Sequence, residues 1–176
     1  MNRTCTWKSC VAAALVIVTG IWVVGDARSV QGKAEDEVKQ AFGDLQIALG
    51  AKDPAKIWAL IDSDTQSDAE KIAKRIKTGY GKANDTQKAE LEKSFGLTAD
   101  ELARVDGKLL MKTKQFIGKY EELADRKGTV ITGITVQGDS ATVNYTEADG
   151  DKVKLNLKRQ DGKWKAAMPM PSFSSK

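Results

Sequence analysis

Val130-Ile-Thr-Gly-Ile-Thr-Val-Gln137, Ala141-Thr-Val-Asn-Tyr-Thr146, Val153-Lys-Leu-Asn-Leu-Lys158 and Trp164-Lys-Ala-Ala-Met168 are four runs in which apolar and polar residues alternate. A strand turns successive side chains to opposite faces, so a period of two predicts strands with one apolar face. The spacers Gln137-Gly-Asp139, Asp149-Gly150 and Asp161-Gly162 are turn formers. Asp-Gly supplies the positive φ that tight hairpins require. Pro169 and Pro171 end the series, because proline lacks the N–H that a ladder needs. The quartet reads as a four-stranded antiparallel meander. Its apolar face carries Ile134, Val136, Ala141, Val143, Tyr145, Val153, Leu155, Leu157, Trp164, Ala166 and Met168. The opposite face, with Thr142, Asn144, Lys154, Asn156 and Lys158, is polar.

An apolar sheet face must be covered, and the residues ahead of it change period. Val38, Phe42, Leu45 and Leu49 fall on one helical face, which Gly50 is expected to close. Asp53-Pro54 reads as N-cap and first residue of a second helix, with Ile57, Trp58, Leu60 and Ile61. Asp62-Ser-Asp64 is expected to end it. Ser67-Asp-Ala-Glu70 has the form of a capping box and predicts the start of a third helix, stopped at Gly79 and Gly81. Asp85-Thr86 then caps a shorter helix ending at Gly96. Thr98-Ala-Asp-Glu101 is a second capping box, and Asp106 precedes one longer helix carrying Leu109, Phe116, Tyr120 and Leu123. The expectation is an α+β domain over residues 35–171, with N-terminal helices packed on one face of the C-terminal four-stranded antiparallel meander. Residues 28–34 read as a linker and 172–176 as a C-terminal tail.

Arg3 and Lys8 precede a 17-residue uncharged run from Ser9 to Gly25. A basic start, an apolar stretch and then small residues predict an export signal over residues 1–27. The run spans roughly 25 Å as a helix, short of a ~30 Å bilayer core. Cleavage after Ala27 is the first expectation, and an uncleaved N-terminal membrane anchor through residues 9–25 is the alternative. Either places the protein outside the cytoplasm, periplasmic or extracellular. Cys5 and Cys10 are the only cysteines, so residues 28–176 hold none and no disulfide.

Composition excludes several chemistries. The chain has no histidine. Ser-His-Asp and Cys-His mechanisms, histidine–zinc sites and histidine-ligated haem all need one. No cofactor or metal is expected, and only oxygen-ligand cation sites remain open. Loss of Arg3, Lys8 and Asp26 with residues 1–27 leaves 26 basic against 23 acidic residues, a net +3. That near-balance gives no nucleic-acid footprint. The most basic stretch, Lys71, Lys74, Arg75, Lys77 and Lys82, reads as a solvated helix face, with an acidic surface partner as its functional alternative.

The pattern Phe42-x-x-Leu45, Asp53-Pro54, Ile57-Trp58-x-Leu60, closed by Val153 to Pro169 with its Gly162-x-Trp164 strand, resembles the nuclear transport factor two-like superfamily. Exported, function-unknown members of that superfamily are the most similar. The resemblance covers residues 35–62 and 129–169. It implies a helical layer over a curled sheet, with any chemistry on the sheet's inner face. The family places a strand between its second and third helices, whereas residues 65–124 here read as helix throughout, so the curled sheet and its pocket are expected to be reduced.

On the inner face only Tyr145 can titrate, so the resemblance carries no catalytic residue onto this chain. Tyr80, Tyr120, Tyr145 and Trp164 are the candidate pocket residues. Glu147, Asp149 and Asp151 form an acidic hairpin tip whose alternatives are turn chemistry or a calcium site. Asp62-Ser-Asp64 opens like a calcium loop but lacks the glycine and glutamate such a loop needs. The leading functional expectation is an exported non-enzymatic domain that binds a partner protein or a small apolar ligand. A small lyase- or isomerase-like enzyme using Asp62 or Asp106 near Tyr145 is one alternative, and a membrane-tethered envelope structural protein is another. Signal cleavage predicts an exported chain starting at Arg28. Intact-mass measurement of the exported protein checks this, and a mass that retains residues 1–27 establishes the anchor instead.

Overall fold

The computed structural model describes residues 27–173, and side chains from Gly32 onward. The expected signal or anchor segment lies outside the described residues apart from Ala27. Among the described residues no helix is long and apolar enough to cross a membrane.

Four strands, β1 (Val130–Gln137), β2 (Ser140–Thr146), β3 (Lys152–Gln160) and β4 (Lys163–Ala167), form one antiparallel sheet in the order β1-β2-β3-β4. Asp161 and Gly162 join β3 to β4 as a two-residue turn, both at positive φ (50° and 73°), as a type I′ hairpin demands. The Asp149-Gly150 signal lies inside a five-residue connection, residues 147–151, rather than forming a two-residue turn. Ala141, Val143, Tyr145, Leu155, Leu157, Trp164, Ala166 and Met168 are buried on the inner face as expected. Strand β1 departs from strict alternation. Its register against β2 slips between Ile131 and Gly133, a bulge that turns Ile131 toward the core and leaves Val130 59% exposed.

Eight helices precede the sheet among the described residues: α1 (Ala27–Gly50), α2 (Pro54–Leu60), α3 (Ser63–Lys82), α4 (Asp85–Phe95), α5 (Ala99–Ala103), α6 (Gly107–Leu110), α7 (Lys114–Lys119) and α8 (Glu121–Ala124). The fold is α+β, helices first and meander last. Helix α1 lies against β1, β2 and β4, with α2 and α8 packed beside it. Phe42 of α1 meets Tyr145 of β2 with ring centroids 5.3 Å apart. Val38, Leu45 and Leu49 are buried on the same helical face. Helix α3 packs on α5 and α6, and α4 on α3, α5 and α7. Gly107 at the start of α6 sits where a Cβ would lie 2.8–2.9 Å from Trp58 and Glu70, so this crossing requires glycine.

Several element ends differ from the sequence reading, each for a local reason. The expected linker 28–34 is helical from Ala27 onward. Its Ala, Lys, Arg and Gln residues favour helix, but apolar periodicity begins only where the helix packs, at Val38. Helix α1 runs to Gly50, and the left-handed residue that follows is Lys52 (φ 51°) rather than Gly50. The Asp53 N–H bonds the Ala48 carbonyl (3.1 Å) and the Lys52 N–H the Leu49 carbonyl (2.9 Å), a Schellman pair. Asp53 then caps α2 through the N–H groups of Ala55 and Lys56. Helix α3 starts at Ser63, so Ser67 to Glu70 lie inside it and form no capping box. It also continues through Gly79 and Gly81 to Lys82. Asn84, not Asp85, caps α4, in a box with Gln87. The expected long helix after Asp106 is three short ones. Buried Thr113 donates to the Leu110 carbonyl (2.7 Å) and accepts from the Phe116 N–H (3.3 Å), which ends one turn and starts another. Phe173 is no free tail: it stacks on Phe95 at 5.8 Å.

Lys52 holds a side chain in a conformation that costs a non-glycine residue about 1 kcal/mol. Lys52→Gly relieves that strain and gives part of it back as unfolded-chain entropy. The expected result is a net gain of about 0.5 kcal/mol, read as a higher urea midpoint at unchanged slope. A lower midpoint would contradict the Schellman assignment.

Candidate functional site

The four expected pocket residues do not share one pocket. Tyr145 is core, packed on Phe42, and its hydroxyl lies beside the Glu147 carboxylate. Burial, then the Glu147 charge, push its hydroxyl up to about 12. Tyr120 packs on Phe116 and donates to the Pro169 carbonyl (2.7 Å), beside Lys119, which donates to the same oxygen (2.7 Å). Burial raises its hydroxyl far above the usual tyrosine value. Trp164 is buried under the Arg159 guanidinium (5.3 Å to the ring), and its indole N–H has no acceptor among the described residues. Arg159 in turn pairs with Glu37 of α1, closing that end of the core.

Space between helices and inner sheet face, where the superfamily resemblance would place a site, is taken up by side chains. Phe42, Leu45, Leu49, Ile57, Phe116, Leu123, Val143 and Leu157 there are all at most 2% exposed. Asp62 and Asp106, the carboxylates expected to assist Tyr145 in an enzyme, are both helix caps. Asp106 accepts from the Leu109 N–H (2.7 Å) and stands exposed. Asp62 accepts from the Thr65 N–H (2.9 Å) and faces Lys158 (3.5 Å). A general acid–base pair needs mutual hydrogen-bond reach and a pKa near the working pH. The tyrosine shifts lead away from that range.

The structure opens a groove at another position, between α3 and α4. It measures about 530 Å³ and is lined by Ile72, Ile76, Leu91 and Phe95, with Gly79, Tyr80, Arg75 and the segment 171–173. Tyr80 is the one expected pocket residue it contains. Its hydroxyl donates to Glu92 Oε1 (2.7 Å), and that bond raises it to about 12. The hydrogen bonds of Lys119 and Tyr120 to Pro169 steer the chain leaving β4 toward α4. Phe173 thereby lies on Phe95 and forms a wall. Sequence reasoning missed this site for two reasons. Ile72 and Ile76 read as core, yet they are only half-buried, and Phe173 follows two prolines and reads as tail. The usable signal was an aromatic residue beyond the last strand together with two glycines inside a helix. An added Cβ at Gly79 or Gly81 would meet nothing within 4 Å, so no packing demand explains either glycine.

The acidic hairpin tip is turn chemistry. The Asp151 N–H bonds Asp149 Oδ1 (3.0 Å), and the Glu147 N–H bonds the Asp151 carbonyl (2.9 Å). Among the described residues no three metal-ligating side chains converge. Comparison with protein-family models, with curated proteins and with solved structures gave no match for this chain.

Burial, followed by the charges of Asp149, Glu122 and Asp151, holds the Glu147 carboxyl above its ordinary value. The folded state therefore disfavours the ionised form, and stability tied to the protonated form is lost as pH rises through the folded pKa. Glu147→Gln removes that charge at every pH. It should raise stability at pH 7 by up to about 0.5 kcal/mol. The gain should vanish below the ordinary value of 4.5. Urea titrations at both pH values test it, and equal destabilisation at both would show that the carboxylate is instead a needed acceptor.

Proposed function

We propose that this chain is an exported, non-enzymatic binding domain whose α3–α4 groove takes a small apolar ligand. Export rests on the sequence pattern of residues 1–27. The observation that carries the binding reading is the groove itself, a concavity of about 530 Å³ walled by Ile72, Ile76, Leu91 and Phe95, with Phe173 already on one side. This volume falls within the ~300–1,000 Å³ typical of small-molecule sites. A filled core supports the same location, since it leaves the outer surface as the place for recognition. The capping roles of Asp62 and Asp106 weigh against the lyase- or isomerase-like alternative.

The resemblance to the nuclear transport factor two-like superfamily remains part of this reading. Ile61 makes an isolated parallel bridge to Ala166, at the position between second and third helices where that superfamily has a strand. In this view the chain retains the helix-on-sheet frame and has shifted its binding surface from the inner sheet face to the α3–α4 pair.

Gly79 tests the proposal, because its Cβ position is open and it lines the groove. Gly79→Leu fills the groove and removes a helical glycine that costs about 1 kcal/mol. The purified chain should bind the neutral probe Nile red saturably, and the variant should bind it at least about tenfold more weakly, ~1.4 kcal/mol. Its Tm should be equal or higher. A folded variant that binds Nile red as the parent does would overturn the groove assignment.

A further inference from the structure

We infer that the ligand of this groove is a single-chain anionic amphiphile, a long-chain carboxylate or alkyl phosphate. Its chain would lie on Ile72, Ile76, Leu91 and Phe95, and its head on Arg75 and Lys74. The inference rests on the groove reading above and adds the chemistry of the head. Arg75 is the link. It lines the apolar groove, and it also lines an adjoining shallow depression whose other members are Lys71, Lys74 and Thr78. An apolar channel that opens onto three cations matches an apolar chain ending in a negative charge. The groove's size suits one alkyl chain.

The cations gather at the Arg75 end of the groove, while the carboxylates of Glu92 and Asp100 lie toward Tyr80 at its other end. On α3, Lys71 is paired with Asp68 (2.9 Å). The side chains of Lys74 and Arg75 have no ion-pair or hydrogen-bond partner among the described residues, and the Lys74 carbonyl accepts from the Thr78 hydroxyl (2.9 Å). From α4, Glu92 is taken by the Tyr80 hydroxyl, and Lys88 lies over the Tyr80 ring (5.8 Å). Glu90 lines a second depression, with Lys82 and Gln87, that adjoins the groove at Gly79 and Leu91, on the side away from Arg75. An arginine beside a second cation can hold a carboxylate or phosphate with two parallel N–H bonds. Exposed helix lysines alone would be a solvated face. Here one of the cations borders an apolar groove.

Displacement of Nile red from the purified chain by dodecanoate and by dodecanol, both below their aggregation concentrations, separates head from chain. Dodecanoate should displace the probe at about tenfold lower concentration than dodecanol, and the difference should shrink as salt rises. In the double variant Lys74→Gln/Arg75→Gln, with folding checked by circular dichroism, the two should become equal within about twofold. Equal potency on the parent chain would overturn the cationic-head inference and leave the groove reading standing. A preference that survives in the folded double variant would also overturn it. Failure of both compounds to displace Nile red overturns the inference. The groove reading falls separately, if Gly79→Leu leaves Nile red binding unchanged.

Discussion

Asp62 is the point through which the helical layer and the sheet are fixed to each other. It is 1% exposed, a position where a carboxylate survives only with partners. Its side chain accepts the Thr65 N–H and faces Lys158 of β3, while its own N–H bonds the Ala166 carbonyl of β4 (2.9 Å). One residue earlier, Ile61 bridges to Ala166, and three residues later the Thr65 hydroxyl accepts the Met168 N–H (3.0 Å). Lys158 also reaches Asp64 (2.6 Å), and Gln160 bonds Ser63. The start of α3 is thus tied to two strands by groups that would be costly to leave unpaired. The position of α3 relative to the sheet depends on it.

That tie also separates a rigid part from an open part. Near Asp62 the helix is held by charge and backbone bonds. Two turns on, Ala69 and Ala73 bury their small side chains against α5 and α6. Beyond them the face toward α4 carries Ile72, Ile76, Gly79 and Tyr80, and Phe173 comes in from the far side to complete the wall. The sheet contributes nothing of its inner face here, because Phe42 and Tyr145 already close that interface. The helices fill the apolar face of the meander, and the α3–α4 groove lies where α3 runs past the sheet.

Period-two alternation made the meander legible in the sequence, and the Asp-Gly pairs located two of its three turns. The β1 bulge was not legible, since a one-residue insertion leaves composition unchanged and only the partner strand reveals it. Cap choice failed where two capping sequences stood close together. Asp62 and Ser67 are both competent N-caps, and the tertiary bonds of Asp62 to β4 decide in its favour. Thr113 illustrates the same effect in the opposite sense: a buried hydroxyl that bonds the backbone on both sides breaks a pattern which periodicity alone would continue. Of the candidate site, Tyr80 was legible as an aromatic beside a basic stretch. The groove was not, because it is assembled from residues 72–95 and from Phe173, and no local pattern joins segments so far apart in the chain.

Phe173 gives the groove an internal competitor. On the proposed reading, an apolar ligand either shares the space with that ring or replaces its stacking on Phe95. In the second case apparent affinity falls by the fraction of time the ring is away. The cost of moving it is limited by its anchorage. Pro169 is held by two hydrogen bonds from α7 and Tyr120, and Phe173 stacks on Phe95 four residues further on. The helical glycines suit the same arrangement. A larger residue at Gly79 would strengthen α3 and obstruct the space that ring and ligand contest, so helix stability and an open groove are opposed at that one position.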